Sequence, residues 1–199
     1  MFGGAFDPFH NGHLMMLMSI CEQLNIDYIH MIPNYNSPDK EKATLSDVQR
    51  LKCVKAIADG FSTRFSNKIK FSCIDYELKQ KKTSYTIDTL NFLGKQYPKS
   101  NWILLIGSDN FFKFHTWKQY KDILNQVTLF VVKRDSISIK SYTEYMDIYF
   151  LNELNAGVIL LNNEPITISS TKIREKMSKN ISIETLVPDI IRQELESIK

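Results

Sequence analysis

The chain has 199 residues, of which 43% are hydrophobic and 24% are charged, and its formal net charge is +3. This composition is typical of a globular protein, and it excludes a disordered, collagen-like or coiled-coil chain. The small positive charge does not require nucleic acid as a partner, and it suits a protein that handles phosphates. At this length we expect a single domain over residues 1–199, with a C-terminal helical portion over residues 168–199.

Cysteine usage and hydropathy indicate the compartment. Cys21, Cys53 and Cys73 are too widely spaced for a metal knuckle, and their odd number argues against a disulfide framework, so we expect buried thiols. No apolar run reaches the roughly 18 residues of a membrane-spanning helix. No basic stretch followed by an apolar one marks a secretory signal. The expectations are a cytoplasmic location, no membrane partner and no nucleic-acid partner.

Helical and strand patterns alternate through the first half of the chain. Apolar periodicity predicts a helix over 13–24, a strand over 26–32, a polar loop over 34–44, a helix over 46–60, a strand over 69–74 that continues to 78, and a helix over 85–97. Ser46 and Gln49 form a capping-box pattern at the start of the second helix, and Gly60 is expected to end it.

The second half continues this alternation. It predicts strands over 102–106, 127–132 and 157–161, a flexible connection over 136–141, and helices over 142–154, 169–177 and 188–198. The strand over 102–106 is apolar throughout, as strands inside a parallel sheet are. Strands and helices in this order predict βαβ units, and therefore an α/β, Rossmann-like, doubly wound and mainly parallel sheet with helices on both faces.

Glycine and histidine are concentrated near the N-terminus. Gly3 and Gly4 let the backbone approach a ligand, because they have no Cβ. A helix is predicted to begin near His13, and the N–H groups at a helix N-terminus attract anions. His10 and His13, with Gly12 between them, can both face an anion at that point and donate hydrogen bonds to it. The segment is therefore a candidate phosphate site.

Two runs of sequence resemble a known superfamily. His10–His13 resembles the (T/H)xGH signature of a nucleotidyltransferase superfamily, and Ile168–Arg174 looks like its second phosphate motif, SSTxIR. Hydroxyls at a helix start cap the helix and can contact triphosphate oxygens, and an arginine one turn later can reach the same phosphates. The resemblance implies catalytic roles for His10, His13 and Arg174, and ATP contacts from Gly3, Gly4, Gly12, Ser169, Ser170 and Thr171.

A third motif narrows the choice of family. Ser84–Leu90 reads SYTIDTL and resembles the SYTxDTL motif of bacterial nicotinate-nucleotide adenylyltransferases, which phosphopantetheine adenylyltransferases lack. The resemblance covers nearly the whole chain, with the motifs in the family's order. It implies ATP contacts and substrate contacts from a further set of residues, namely Gly107, Asp109 and Arg134 for ATP, and Tyr85, Thr86 and Trp117 for the second substrate.

The resemblance implies that ATP adenylylates nicotinate mononucleotide, giving nicotinate adenine dinucleotide and pyrophosphate in NAD biosynthesis. The acceptor phosphate is itself the nucleophile, so the protein aligns substrates and neutralises charge. Trp117 offers a flat face for the pyridine ring, Thr86 a helix-start N–H for the carboxylate, and Asp109 a carboxylate for a ribose hydroxyl. Mg²⁺ is expected to arrive on the ATP phosphates, without a dedicated site of its own.

The chain departs from the family pattern at several places. Ala5 stands where Thr or Ser is usual, and Asp39 stands where His is usual, so Lys40 becomes the basic residue of that loop and a fourth catalytic candidate. Asp135 stands where Pro-Gly is usual. The chain begins almost directly at the glycines, so at most Met1–Gly3 could form the family's first strand, and we expect that strand to be missing.

Two alternatives remain open at this point. One is the same fold and chemistry with another phosphate acceptor: nicotinamide mononucleotide, phosphopantetheine or a polyol phosphate. The Ser84–Leu90 motif and Trp117 argue against the last two. The other is a nucleotide-binding module that has lost catalysis, against which the presence of His10, His13 and Arg174 argues. The oligomeric state is open as well, with a homo-oligomer among the options.

Overall fold

The computed structural model describes residues 1–38, 42–65, 68–150 and 157–197. The chain forms two compact units. The terminal unit consists of Phe2–Thr83 and Ile168–Lys199, and the central unit consists of Met1 and Ser84–Thr167. The expectation of one domain over the whole chain stays a prediction.

Strands and helices alternate along the described residues, as the sequence predicts. The strands are β1 (Phe2–Gly4), β2 (Tyr28–Pro33), β3 (Lys70–Cys73), β4 (Trp102–Gly107), β5 (Val127–Val132) and β6 (Gly157–Leu161). The helices are α1 (Asn11–Gln23), α2 (Asp47–Arg64), α3 (Tyr76–Gln80), α4 (Thr86–Gln96), α5 (Ser108–Phe111), α6 (Tyr120–Leu124), α7 (Ile139–Tyr149), α8 (Ser170–Ser178) and α9 (Asp189–Glu196). A short 3₁₀-helix, Phe114–Thr116, precedes α6. None of the helices in this described part of the chain is long and apolar enough to cross a membrane.

The terminal unit contains a parallel sheet in the order β1-β2-β3. Parallel strands need crossover connections, and α1 and α2 supply them. Phe2 lies opposite Met31 and Gly4 lies opposite Pro33, so β1 and β2 end side by side. The carboxyl ends of neighbouring parallel strands are where open α/β sheets bind ligands. The glycine and histidine segment therefore begins at the ligand-binding edge of this sheet.

The central unit contains a second parallel sheet in the order β4-β5-β6. Trp102 lies opposite Val127 and Gly107 lies opposite Val132, so β4 and β5 start and end level with each other. β5 is almost wholly buried, as its continuous apolar sequence predicts. The loops that follow β4 and β5 therefore meet at one edge of this sheet.

The first strand is present, which corrects the expectation from the sequence. β1 has three residues, and they pair with the last three residues of β2. Met1, in the central unit, exchanges two hydrogen bonds with β4: its amino group donates to the Ile103 carbonyl at 2.8 Å, and its carbonyl accepts from the Leu105 N–H at 3.0 Å. Ladder hydrogen bonds thus hold even this short segment in the extended conformation.

α2 does not end where the sequence predicts. It passes through Gly60 and ends at Arg64, so the predicted stop is wrong. Phe61 directly follows the glycine and is buried, and packing at this residue outweighs the roughly 1 kcal/mol that glycine costs inside a helix. The predicted capping box at the helix start is confirmed, because Ser46 Oγ accepts from the Gln49 N–H and Gln49 Oε1 accepts from the Ser46 N–H.

Two other boundaries differ from the predictions. The continuation of the third strand to Leu78 is wrong: this residue lies buried in α3, because an isolated apolar residue that fits a strand pattern fits a helix face equally well. The segment expected to be a flexible connection contains the start of α7, whose N-cap Ser138 accepts from the Ser141 N–H. That helix ends at Tyr149, earlier than its predicted end at Leu154, which lies outside the described residues.

The three cysteines are free thiols. Cys53 is fully buried and the other two are partly exposed, so the expectation of buried thiols holds in full for one of them. Burial raises the pKa of Cys21 and of Cys53 to about 11, and that of Cys73 to about 12. The thiol is therefore the dominant form of all three at neutral pH.

Candidate active site

Two histidines at the start of α1 cap each other. His10 is the N-cap residue, and its Nδ1 accepts a hydrogen bond from the backbone N–H of His13 at 3.3 Å. The Nδ1 of His13 accepts from the backbone N–H of His10 at 3.2 Å. The two rings are stacked, with their centroids 3.7 Å apart. This is a capping box in which imidazoles replace the usual serine and glutamate.

The reciprocal cap assigns the tautomer of both rings. A ring nitrogen that accepts a hydrogen bond carries no proton, so each neutral imidazole holds its proton on Nε2. This assignment follows from the hydrogen-bond pattern. Both histidines therefore carry an Nε2–H donor, the form that binds phosphate oxygens.

Buried phenylalanines support the ring of His13. The centroids of Phe2, Phe6 and Phe9 lie 5.9, 5.2 and 5.1 Å from that of the imidazole. Phe6 has a φ of +48°, a left-handed backbone conformation that is uncommon for a bulky residue. A Cβ on Gly4 would lie 3.1 Å from the Phe6 ring. Glycine at this position therefore makes room for the aromatic cluster, beyond the role in ligand approach that the sequence suggests.

The second predicted phosphate motif lies against the first. Ser170 Oγ donates to the Pro8 carbonyl at 3.1 Å, and Arg174 Nη1 donates to the Asp7 carbonyl at 2.7 Å. Both acceptors belong to the loop that leads from β1 to α1. The terminal unit therefore brings together the two segments that are about 160 residues apart in sequence and that the resemblance assigned to one triphosphate.

The remaining predicted residues of the terminal unit have the following places. Ser169 is the N-cap of α8 and accepts from the Lys172 N–H, as the sequence predicts. Thr171 Oγ1 accepts from Arg174 Nη2 at 3.3 Å. Gly3 lies within β1 and Gly12 lies in the first turn of α1. Lys40 lies outside the described residues.

In the central unit, three predicted residues meet after β4 and β5. Arg134 follows β5, and its Nη1 lies 3.4 Å from Oδ2 of Asp109, in α5. A Cβ on Gly107 would lie 2.5 Å from both Arg134 Cδ and Asp109 Oδ1, so a larger residue would force these two side chains to shift. Gly107, Asp109 and Arg134 thus form one cluster at the carboxyl edge of the sheet.

The start of α4 carries two more predicted residues. Tyr85 is the N-cap residue, and its side chain makes no capping hydrogen bond, while Thr86 is the first helical residue. Lys118 Nζ lies 4.5 Å from the centroid of the Tyr85 ring and 3.4 Å from Asp88 Oδ1. A cation therefore lies near the start of a helix whose N-cap side chain makes no capping hydrogen bond.

Trp117 follows the 3₁₀-helix and is partly exposed. Its ring centroid lies 4.9 Å from that of Phe114, which is fully buried, and the two rings are inclined at 39°. One side of the indole therefore packs on the core of the central unit, and the rest remains accessible to a ligand.

Comparison with known proteins identifies the family. The Cytidylyltransferase-like family matches residues 1–176 of the chain. A nicotinate-nucleotide adenylyltransferase of Aquifex aeolicus is 35% identical over 173 residues, which cover 86% of this chain and 98% of the relative. The one of Clostridium novyi is 32% identical over 193 residues, covering 96% of this chain and 92% of the relative. This chain belongs to the nicotinate-nucleotide adenylyltransferases.

Solved structures share the fold of this adenylyltransferase. The structure of Plasmodium falciparum nicotinic acid mononucleotide adenylyltransferase complexed with NaAD has a TM-score of 0.74 at 19% identity, covering 97% of this chain and 93% of that chain. The complex of the same protein with APC has a TM-score of 0.71 at 18% identity. The predicted Rossmann-like α/β class and the resemblance drawn from Ser84–Leu90 are both confirmed.

Asp7 is a residue of the adenylyltransferase site that the sequence analysis did not single out. It is buried, and its two carboxylate oxygens accept from the N–H groups of Thr44 and Leu45, each at 2.8 Å. Its Oδ2 also lies 3.4 Å from Arg174 Nη1. The signal in the sequence was an acidic residue amid glycines and histidines, where an anion site should repel it. A fully hydrogen-bonded structural carboxylate resolves that conflict.

Arg50 is the second such residue. It lies in α2 and is fully buried. Its Nη1 donates to the carbonyls of Ala5 and Asn34, each at 2.7 Å, and its Nη2 pairs with Asp47 at 2.6 Å. The guanidinium thus joins the loop after β1 to the loop after β2. The family usually has a hydroxyl side chain at the position of Ala5. In this chain the backbone carbonyl of Ala5 accepts the hydrogen bond from Arg50.

Proposed function

We infer that this chain transfers the adenylyl group of ATP to nicotinate mononucleotide, producing nicotinate adenine dinucleotide and pyrophosphate in NAD biosynthesis. Membership of the nicotinate-nucleotide adenylyltransferases assigns the reaction. The geometric observation that supports this function is the reciprocal cap of His10 and His13. Arg174 lies beside it, because its side chain donates to the Asp7 carbonyl in the loop that leads from β1 to α1. This arrangement combines donors, a cation and a helix N-terminus in one place.

The reaction exchanges one phosphoanhydride bond for another. An oxygen of the nicotinate mononucleotide phosphate attacks the α-phosphorus of ATP and forms a new P–O bond. The bond from the α-phosphorus to the bridging oxygen breaks, and pyrophosphate leaves with the electron pair. The acceptor phosphate is already ionised at neutral pH, so no protein nucleophile takes part. The protein contributes in-line alignment and charge neutralisation.

In the terminal unit, we assign the triphosphate to the histidine pair and to α8. The Nε2–H groups of His10 and His13 would donate to phosphate oxygens, and Arg174 would neutralise the charge that moves onto pyrophosphate. A preorganised donor of this kind typically contributes on the order of 10²–10³ in rate. The hydroxyls and backbone around these residues would line the triphosphate, from Gly3, Gly4, Gly12, Ser169, Ser170 and Thr171.

In the central unit, we assign contacts with the nucleosides and the pyridine ring. The cluster of Gly107, Asp109 and Arg134 would bind ATP, with the carboxylate accepting from ribose hydroxyls. Trp117 would stack on the pyridine ring. Thr86, with Tyr85 beside it, would receive the nicotinate carboxylate at the N-terminus of α4. The partly exposed indole and the uncapped helix start support these assignments.

Lys40 and Mg²⁺ complete the proposal. Lys40 would add a cation to the triphosphate from the loop before α2. Mg²⁺ enters as part of the substrate MgATP, where phosphate oxygens and water hold it. Across residues 1–38, 42–65, 68–150 and 157–197, no three His, Cys, Asp or Glu side chains lie together in a way that could hold a metal ion. We further propose a cytoplasmic location, which three free thiols support.

The test is pyrophosphate release by the purified protein with MgATP and one acceptor at a time: nicotinate mononucleotide, nicotinamide mononucleotide or phosphopantetheine. We expect the highest kcat/KM with nicotinate mononucleotide and formation of the dinucleotide in equal amount. His13→Gln serves as the matched control, because it keeps the helix cap and should remove turnover. Fastest turnover with another acceptor would assign the chain a different substrate, and no turnover with any acceptor would favour a lapsed nucleotide-binding module.

A further inference from the structure

Asp135 receives three hydrogen bonds in the loop after β5. Ser108 Oγ donates to its Oδ2 at 2.6 Å. The Tyr142 hydroxyl and the backbone N–H of Ile137 both donate to its Oδ1, each at 3.2 Å. The family resemblance places Pro-Gly at this point of the chain, and neither residue has a side chain that accepts hydrogen bonds. The carboxylate is therefore a distinctive part of this protein's version of the loop.

Ser108 links this carboxylate to Arg134. The serine side chain is fully buried, and its Oγ accepts the backbone N–H of Arg134 at 3.0 Å. A hydroxyl has a single proton, and Asp135 accepts it, so the lone pairs of the oxygen are left to face the arginine N–H. The carboxylate thereby sets the direction of the hydroxyl that holds the Arg134 backbone.

The residue before Arg134 is held as well. Asn163 Oδ1 accepts from the Lys133 N–H, and Asn163 Nδ2 donates to the Lys133 carbonyl, each at 3.0 Å. The backbone directly after β5 is thus fixed at two consecutive residues, by one side chain from α5 and one from the loop after β6. Such double fixing is expected where the position of the next side chain matters.

The side chain of Arg134 has little room to shift. Its Cδ would lie 2.5 Å from a Cβ on Gly107, so the aliphatic part rests directly on that glycine. Its Nη1 lies 3.4 Å from Asp109 Oδ2, and 21% of the side chain is exposed. Because the arginine stem is packed, a displacement of its backbone moves the guanidinium with it.

We propose that Asp135 is a positioning residue for ATP binding, which acts through Ser108 by holding the backbone of Arg134. The inference rests on the proposed function, in which Arg134 contacts ATP. In this role the Asp135 carboxylate binds protein groups, so its loss should weaken the affinity for ATP and leave the chemical step unchanged. A residue that served stability alone would instead change the fraction of folded protein and leave both KM values as they are.

Asp135→Asn tests the link to Ser108 selectively. The amide oxygen can still accept from Ile137 N–H and from the Tyr142 hydroxyl, and the amide NH₂ then faces Ser108, whose proton loses its acceptor. The opposite orientation would place the NH₂ against the Ile137 N–H, two donors in contact, and is disfavoured. Tyr142→Phe is the matched control, because it removes a hydrogen bond from the same carboxylate while Ser108 can still donate to Asp135 and accept the Arg134 N–H. The contact of the Tyr142 hydroxyl with Ser108 is lost as well, so this variant also tests whether that contact affects ATP binding.

The measurements are steady-state kinetics well below the melting temperature and titration calorimetry with MgATP alone. We expect Asp135→Asn to raise KM and Kd for MgATP about tenfold, an effect of the size that a lost hydrogen bond produces. We expect kcat and the KM for nicotinate mononucleotide to change less than about twofold, and Tyr142→Phe to leave all three constants within the same limit. In an Arg134→Ala background, Asp135→Asn should have no further effect on MgATP affinity.

Three results would overturn the inference: unchanged MgATP affinity in Asp135→Asn, an equal loss of affinity in Tyr142→Phe, or full additivity with Arg134→Ala. Failure of the wild-type protein to use nicotinate mononucleotide would refute the proposed function. The MgATP affinities of the wild type and the variants could still be compared, because the calorimetry uses MgATP without an acceptor.

Discussion

His10 and His13 accept each other's backbone N–H through Nδ1, with their rings stacked 3.7 Å apart. The same two side chains therefore stabilise the start of α1 and orient the donors assigned to the triphosphate. The structural role uses Nδ1 and the proposed catalytic role uses Nε2. Substitutions that still accept the backbone N–H, as Nδ1 does, can separate the structural role from the catalytic one.

We expect His10→Asn and His13→Gln to keep the fold and the helix cap and to lose turnover. Asparagine is a favoured N-cap residue and glutamine completes a capping box, so both variants still accept the backbone N–H. Neither side chain places a donor where Nε2–H lies, and kcat should fall by on the order of 10²–10³. Thermal melts and pyrophosphate release measure the two effects independently.

The helix cap at α2 provides the control for this pair. Ser46→Ala removes the same kind of capping hydrogen bond far from the histidines in sequence, so it should cost about 1 kcal/mol of stability and leave kcat near the wild-type value. A histidine variant with normal kcat and normal stability would contradict the assignment of the triphosphate to Nε2–H.

Preference for the acid over the amide is expected from the start of α4. A nicotinate carboxylate accepts from helix-start N–H groups, whereas a carboxamide can turn its own NH₂ donor toward them. An unpaired buried polar group costs about 1–3 kcal/mol, so kcat/KM should favour nicotinate mononucleotide roughly ten- to a hundredfold over nicotinamide mononucleotide.

Thr86→Pro tests most directly whether the N–H of residue 86 causes the preference for nicotinate mononucleotide. Proline is well tolerated at the first helical position, the extended backbone of Tyr85 suits a following proline, and the substitution deletes one N–H. We expect the preference for the acid to shrink in Thr86→Pro and to persist in Thr86→Val, which retains the N–H. Equal preference in both variants would show that the carboxylate binds elsewhere.

Arg50 should be among the residues most important for stability in the terminal unit. Arg50→Met leaves the carbonyls of Ala5 and Asn34 without this donor, and the free energy of unfolding should fall by about 3 kcal/mol or more. Asp47→Asn keeps an oxygen acceptor for Nη2 and removes only the charge of a partner that is 40% exposed, so it should cost less than Arg50→Met. Denaturant unfolding of both variants gives the comparison, and equal costs would contradict the central role of the two carbonyl contacts.

His30 should make the protein less stable in mild acid. Burial lowers its pKa from 6.5 to about 4, and its Nδ1 lies 2.7 Å from Ser72 Oγ. In the unfolded chain His30 takes up a proton near pH 6.5, whereas in the folded chain it stays neutral until about pH 4. The contribution of neutral, buried His30 to the free energy of unfolding is therefore fully present above pH 6.5 and is lost as the pH falls toward 4. His30→Gln should flatten the stability curve in this window. Parallel curves for the two proteins would assign the acid sensitivity to other groups.

The sequence by itself determined the order of β2 to β6 and of the longer helices, and the two phosphate motifs, whereas β1 and the short helices α3, α5 and α6 were not predicted. The strands over 102–106 and 127–132 and the caps at Ser46 and Ser169 were predicted correctly, because apolar runs and capping residues act over a few neighbouring positions. The motif Ser84–Leu90 named the family for the same reason: its residues are contiguous. Local signals of this kind need no knowledge of distant contacts.

The tertiary structure alone decided which polar side chains hold the site together. Asp7, Arg50 and Asp135 each bind backbone or side-chain groups from separate segments, and Gly60 stays helical because Phe61 is buried. Burial removes water as a competing partner, so the value of a hydrogen bond depends on which distant groups the fold brings to it. The identity of a charged residue does not reveal whether the folded chain exposes it to solvent or buries it between two loops.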